Sequence, residues 1–175
     1  VKDAHPHVDA LRARKSEAEI ALLRRAAAIS DAGHRAAMRV ATPGLHEYDL
    51  QAEAEREFLR GGAARPAYGS IVGTGINGTQ LHYMRDRGDV KPGDVVVMDA
   101  ATEYEGYAAD ITRTLPVSGK FTPEQRAIYQ LVRDAQAAAE RNSKPGMSSV
   151  AAQDSSIDIR VKGLARLGLV ESADA

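Results

Sequence analysis

The stretch from Val95 to Leu115 constrains the fold most, because it sets two aspartates inside a hydrophobic hairpin pattern. Val95-Val96-Val97-Met98 leads in and Ile111-Thr112-Arg113-Thr114-Leu115 leads out, with Gly106 in the segment between them. Both runs are rich in β-branched and apolar residues, as strands require. A turn centred between Tyr104 and Glu105 places Asp99 directly opposite Asp110. Opposed residues hold their Cβ atoms about 4.5–5.5 Å apart, and like charges so placed destabilise a sheet. Three arrangements answer the repulsion: a solvated face, one carboxyl protonated, or a divalent cation between the pair. Val97, Ala101, Ala108 and Thr112 share the face, and such small or apolar residues fit a solvated surface poorly. A shared proton of the aspartic-protease kind comes with Asp-Thr/Ser-Gly turns, and the chain has none. The cation is the favoured reading.

With 175 residues, the chain is long enough for one domain with a real core. Its hydrophobic fraction of 43% and charged fraction of 27% are ordinary for a globular protein, and its net charge is −1. No basic field favours nucleic acid, and no apolar run reaches the length of a membrane span. The lack of cysteine excludes disulfides, thiolate metal sites and a cysteine nucleophile. A cytoplasmic protein without nucleic-acid or membrane partners is the expectation.

Ser16-x-x-Glu19 signals a helix start, and an apolar stripe follows through Leu22, Ala26, Ile29, Gly33, Ala37 and Val40. Thr42-Pro43-Gly44 stops it, and a second helix runs from Glu47 to Arg60 before Gly61-Gly62. Ala67 to Val72 and Gln80 to Met84 read as strands around the loop "GTGING". That loop lacks both the Lys-Ser/Thr ending of a phosphate loop and the dinucleotide glycine order, so it is a strand connection. Thr122-Pro123-Glu124-Gln125 opens a third helix with Ile128, Leu131, Ala135 and Ala138 on its buried face. Lys144-Pro145-Gly146 ends it, and a fourth helix spans Ser149 to Leu167. Helix, Pro-Gly, helix thus occurs twice, which suggests a duplicated unit.

The segments "KSEAEIALLRRAAAIS", "PAYGSIVGTGINGTQLHY" and "GDVVVMDAATEYEGYAADITRTLPVSGKFTPEQRAIY" resemble the catalytic domain of the Xaa-Pro aminopeptidases, or aminopeptidases P. These are pita-bread metallopeptidases, as are prolidase, creatinase and methionine aminopeptidase. The resemblance implies an α/β (α+β) class of fold, with a curved, mostly antiparallel sheet and helices outside it. It implies two divalent metal ions, commonly manganese, held by Asp, Asp, His, Glu and Glu in chain order. Asp99 and Asp110 match the two aspartates. His82, in "LHY", matches a catalytic histidine, while Tyr68 and Thr112 match positions beside the metals. The implied substrate is a peptide with proline in second position.

Ala101 stands where the family has glycine, and none of the five histidines lies beyond His82. The later His and Glu ligands thus have no counterpart. The expected organisation is a linker over 1–15, left from a missing N-terminal domain, and the N-terminal part of a catalytic domain over 16–175. Such a chain is expected to be inactive alone, and to form homo-oligomers or associate with the missing C-terminal portion. His5 and His7 are expected in a disordered terminus. Prolidase, or a pita-bread module that binds peptides or proteins without catalysis, is the alternative.

Overall fold

The strand that carries Asp99 alternates buried positions with half-buried ones. In the computed structural model, which describes residues 3–172, the strands are β1 (Arg65–Pro66), β2 (Ile71–Thr74), β3 (Val95–Asp99), β4 (Thr102–Tyr104), β5 (Tyr107–Ala108) and β6 (Thr112–Pro116). They form two antiparallel sheets, ordered β1-β4-β5 and β2-β3-β6. On β3, Val96 and Met98 are buried and Val95, Val97 and Asp99 are half-buried. The first set joins Val72, Leu115, Leu50 and Phe58 in the core, leaving Asp99 on the opposite face.

Helices α1 (His5–Ala13), α2 (Glu17–Val40) and α3 (Glu47–Arg60) precede the sheets. Helix α1 buries none of its residues, so the segment expected as a disordered linker is helical over that span, with Pro6 in its first turn. The Ser16 capping box forms: Ser16 N donates to Glu19 Oε2 at 2.6 Å, and Glu19 N donates to Ser16 Oγ at 3.3 Å. Ala26, Ile29, Gly33 and Ala37 of α2 are buried, as are Leu50, Ala54 and Phe58 of α3. Gly33 lets these helices close. A Cβ there would lie 2.3 Å from Phe58 Cε1 and 2.9 Å from the Ala54 carbonyl oxygen.

The hairpin register differs from the expected one. Glu105 (φ 51°) and Gly106 (φ 82°) form the turn, so Tyr104 pairs with Tyr107 and Asp99 pairs with Thr112. Two consecutive left-handed residues match the two-residue turn that fits strand twist, and that turn favours glycine second. Asp110 is therefore not directly opposite Asp99. The shift is an even number of residues, which keeps the paired side chains on their original faces.

The strand expected over Gln80–Met84 is also absent. A 3-10 turn (Gly75–Thr79) follows β2, and an irregular loop continues with His82 (φ 52°) and Asp86 (φ 46°) left-handed. The reason is a fully buried carboxylate at the start of α3. Glu47 accepts from Thr74 N (2.8 Å), Asn77 Nδ2 (2.9 Å) and Gly88 N (2.6 Å). Donors that a neighbouring strand would satisfy are met by Glu47 instead.

The chain divides after Lys120 into two compact units. The second unit is a helical hairpin of α4 (Pro123–Asn142) and α5 (Ser149–Arg166), and the Thr122 capping box forms. Leu131, Ala135 and Ala138 are buried, while Ile128, expected beside them, is 39% exposed. Gly163 packs against Leu131 as Gly33 does against Phe58. No helix among the described residues is long and apolar enough to cross a membrane.

Candidate functional site

Strand β1 delivers Tyr68 to the point where the long hairpin changes sheet. Arg65 and Pro66 pair with β4, and the next residue, Ala67, donates its N–H to the Ala101 carbonyl at 2.8 Å. The Tyr68 hydroxyl then reaches both aspartates, 2.5 Å from Asp99 Oδ1 and 3.1 Å from Asp110 Oδ1. It has one proton, so it serves one carboxylate at a time. Burial, then the hydrogen bond and charge of Asp99, and then Asp110, push the Tyr68 phenol far above its ordinary range. Among the described residues, neither aspartate has a Lys, Arg or His within ion-pair distance. Two carboxylates thus converge on one neutral donor, with no cation to balance them.

Thr112 lies across the ladder from Asp99 and is exposed. His82 is exposed on its left-handed loop position, and no hydrogen bond joins it to Tyr68, Asp99 or Asp110. The structure therefore joins Tyr68, Asp99, Asp110 and Thr112 by direct contact or pairing, and leaves His82 apart from that network. Arg113 pairs across from Met98 rather than Asp99, and its Nη1 donates to the Thr112 carbonyl.

Two residues of the site's support escape a reading of the sequence. Ser30 and His34, one helical turn apart on α2, are both buried. Thr102 N donates to Ser30 Oγ at 3.0 Å, and His34 Nε2 lies 2.9 Å from the Ala100 carbonyl oxygen. A signal does exist: two polar side chains at i, i+4 lie within the Ala26–Ala37 apolar stripe. Burial holds the His34 imidazole below its ordinary range; the Ala100 carbonyl opposes that effect, and Arg113 adds to it.

The carboxylate pair suits a hard divalent cation, since both donors are oxygen and both are short of positive partners. Among the described residues no group of three or more His, Cys, Asp and Glu could hold a metal. A cleft of about 440 Å³ lies elsewhere, lined by Tyr48, Gln51, Ser70, Met84, Arg85 and Asp86 among others. None of the residues singled out from the sequence lines it.

The chain is similar to known proteins along nearly its whole length. The model of metallopeptidase family M24 matches residues 21–165. An Xaa-Pro aminopeptidase of Escherichia coli is 44% identical over 169 residues, covering 97% of this chain and 38% of the relative. The solved structure of Pseudomonas aeruginosa aminopeptidase PepP matches with a TM-score of 0.90 at 46% identity, over 91% of this chain and 36% of that one. A zinc-substituted E. coli aminopeptidase P in complex with product gives a TM-score of 0.95 at 44% identity, over 98% and 39% respectively. The chain thus spans under two fifths of the length of these relatives, and its helices and antiparallel sheets are those of the pita-bread fold. It belongs to metallopeptidase family M24.

Proposed function

We propose that the chain supplies the paired-aspartate part of the metal centre of an Xaa-Pro aminopeptidase. The substrate is a peptide with proline in second position, and the bond cleaved joins the N-terminal residue to that proline. The observation that carries this reading is the convergence of Asp99 and Asp110 on Tyr68 without a basic partner. Asp99 and Asp110 would hold a pair of divalent ions, manganese being preferred for an oxygen-rich donor set. Bound there, such ions supply an activated water and stabilise charge on the scissile carbonyl oxygen.

The chain's own residues have separate tasks. Tyr68 keeps both carboxylates turned to one point and, with its phenol held protonated, adds no negative charge there. Thr112, paired with Asp99, presents a hydroxyl on the same face. His82, exposed and on a separate loop, would on this reading meet substrate rather than hold metal. Two carboxylates are too few for a closed site, so the 175 residues alone do not hydrolyse Xaa-Pro peptides on this reading.

The test compares hydrolysis of an Xaa-Pro peptide by the 175-residue chain and by the longest protein its coding sequence specifies. The expected result is manganese-dependent, chelator-sensitive cleavage by the longer protein alone. Robust cleavage by the homogeneous 175-residue chain would show that other residues complete the site.

A further inference from the structure

We infer that His34 is a positioning residue that sets the separation of Asp99 and Asp110 by clamping the break between the two sheets. The aspartates flank that break, where the ordinary ladder cannot hold them. β3 ends at Asp99 and β4 begins at Thr102, and the return strand is interrupted between Ala108 and Thr112. The backbone between them is fixed by four other contacts. Ala100 N donates to the Ile111 carbonyl at 3.2 Å, and Ala67 N donates to the Ala101 carbonyl at 2.8 Å. Thr102 N donates to Ser30 Oγ at 3.0 Å, and His34 Nε2 meets the Ala100 carbonyl at 2.9 Å. Of these, only the His34 contact ties the residue adjoining Asp99 to a helix.

The side chain is committed to that contact. His34 is 2% exposed, and its Nδ1 is buried without a hydrogen-bond partner. The Ile111 carbonyl lies near enough to favour a proton on the ring, but completes no hydrogen bond to Nδ1. The ring must therefore carry its proton on Nε2 to donate to Ala100, leaving Nδ1 a bare acceptor. An orphaned buried nitrogen is unfavourable. An apolar side chain of similar size would avoid that cost, so the donor to Ala100 is what the position retains. Ala100 and Ala101 are both fully buried, so a shift of their backbone has no free volume to dissipate into. Movement there passes to Asp99, and through the Ala100–Ile111 bond to the segment carrying Asp110.

This inference rests on the proposed metal centre for its functional meaning but not for its geometry, and the experiment separates the two. His34→Leu removes the donor, whereas His34→Gln can place an amide N–H near the position of Nε2. Both variants are made in the longest protein the coding sequence specifies. Crystal structures without metal report the Tyr68–Asp99 and Tyr68–Asp110 distances, and electron paramagnetic resonance reports Mn²⁺ binding. His34→Leu should lengthen at least one of those distances and weaken Mn²⁺ binding about 10–100-fold, the usual loss for a supporting residue behind metal ligands. His34→Gln should restore most of both. Thermal stability is measured beside them, and the carboxylate distances of the folded variant decide the outcome whatever the melting point does. Unchanged distances in His34→Leu would overturn the inference. If the parent protein binds no Mn²⁺, the proposed function fails while the distances still decide the role of His34.

Discussion

Glu47 Oε2 accepts the Gly88 N–H at 2.6 Å, tying the first turn of α3 to the end of the loop that carries His82. Its other oxygen accepts from Thr74 N and Asn77 Nδ2 at the loop's beginning. Glu47→Ala would leave the buried Thr74 N–H and the half-buried Asn77 and Gly88 donors without this acceptor. The expected cost is about 1–3 kcal/mol, the range for leaving a buried donor without its acceptor. Urea unfolding measures it, and hydrogen exchange should accelerate at Thr74 and Gly88 before it does at Leu50. A loss below about 1 kcal/mol would mean that the loop is held by its own packing.

Tyr68 gives an alkaline signature. Its phenol keeps its proton in the folded chain to a higher pH than in the unfolded chain. Above about pH 10 the unfolded state therefore binds fewer protons, and stability falls as pH rises. Tyr68→Phe removes that difference, so its stability should decline less steeply above pH 10 than the parent's. Parallel alkaline profiles for the two proteins would show that the carboxylates do not hold the phenol proton.

His34 titrates in the opposite sense. Burial depresses its folded-state pKa, so the unfolded chain takes up a proton first as the pH falls through about 6.5. Stability from this source is complete above that pH and is lost on acidification, until the folded ring also protonates. His34→Gln should flatten the profile below about pH 6.5, as read from thermal unfolding. An equally steep acid limb in the variant would assign the effect to other groups.

Much of this organisation is legible in the residues themselves. Ser16, Thr122, Pro43-Gly44 and Pro145-Gly146 mark their helix boundaries through local capping and turn chemistry, which sequence displays directly. The closeness of Asp99 and Asp110 is legible as well, since both meet the Tyr68 hydroxyl although the register is shifted by two residues. The register is not, since a turn over Tyr104-Glu105 and one over Glu105-Gly106 differ only in which residues turn left-handed. Gly106 as the second turn residue is the clue. The Gln80–Met84 loop is hidden because its conformation depends on Glu47, distant in sequence and invisible to periodicity. The roles of Ser30 and His34 are hidden because their partners are backbone groups, which carry no sequence signature.

Several large apolar side chains stand open on each unit. Ile76 is 78% and Leu81 96% exposed in the first, and Val132 is 54%, Val150 62% and Leu169 60% exposed in the second. Exposed apolar surface of this kind favours association. The purified 175-residue chain should sediment above the mass of an 18.7 kDa monomer at high concentration. A monomer throughout the concentration range would contradict this expectation.

The claim that Asp99 and Asp110 form one metal-binding unit has a direct measurement. Mn²⁺ binding is titrated by electron paramagnetic resonance in the longest protein its coding sequence specifies, for the parent, Asp99→Asn, Asp110→Asn and the double variant. If the carboxylates act together, each single variant should lose nearly as much affinity as the double, because they share one site. Full Mn²⁺ affinity in the double variant would place the metal elsewhere and leave the aspartate pair as a feature of the sheet alone.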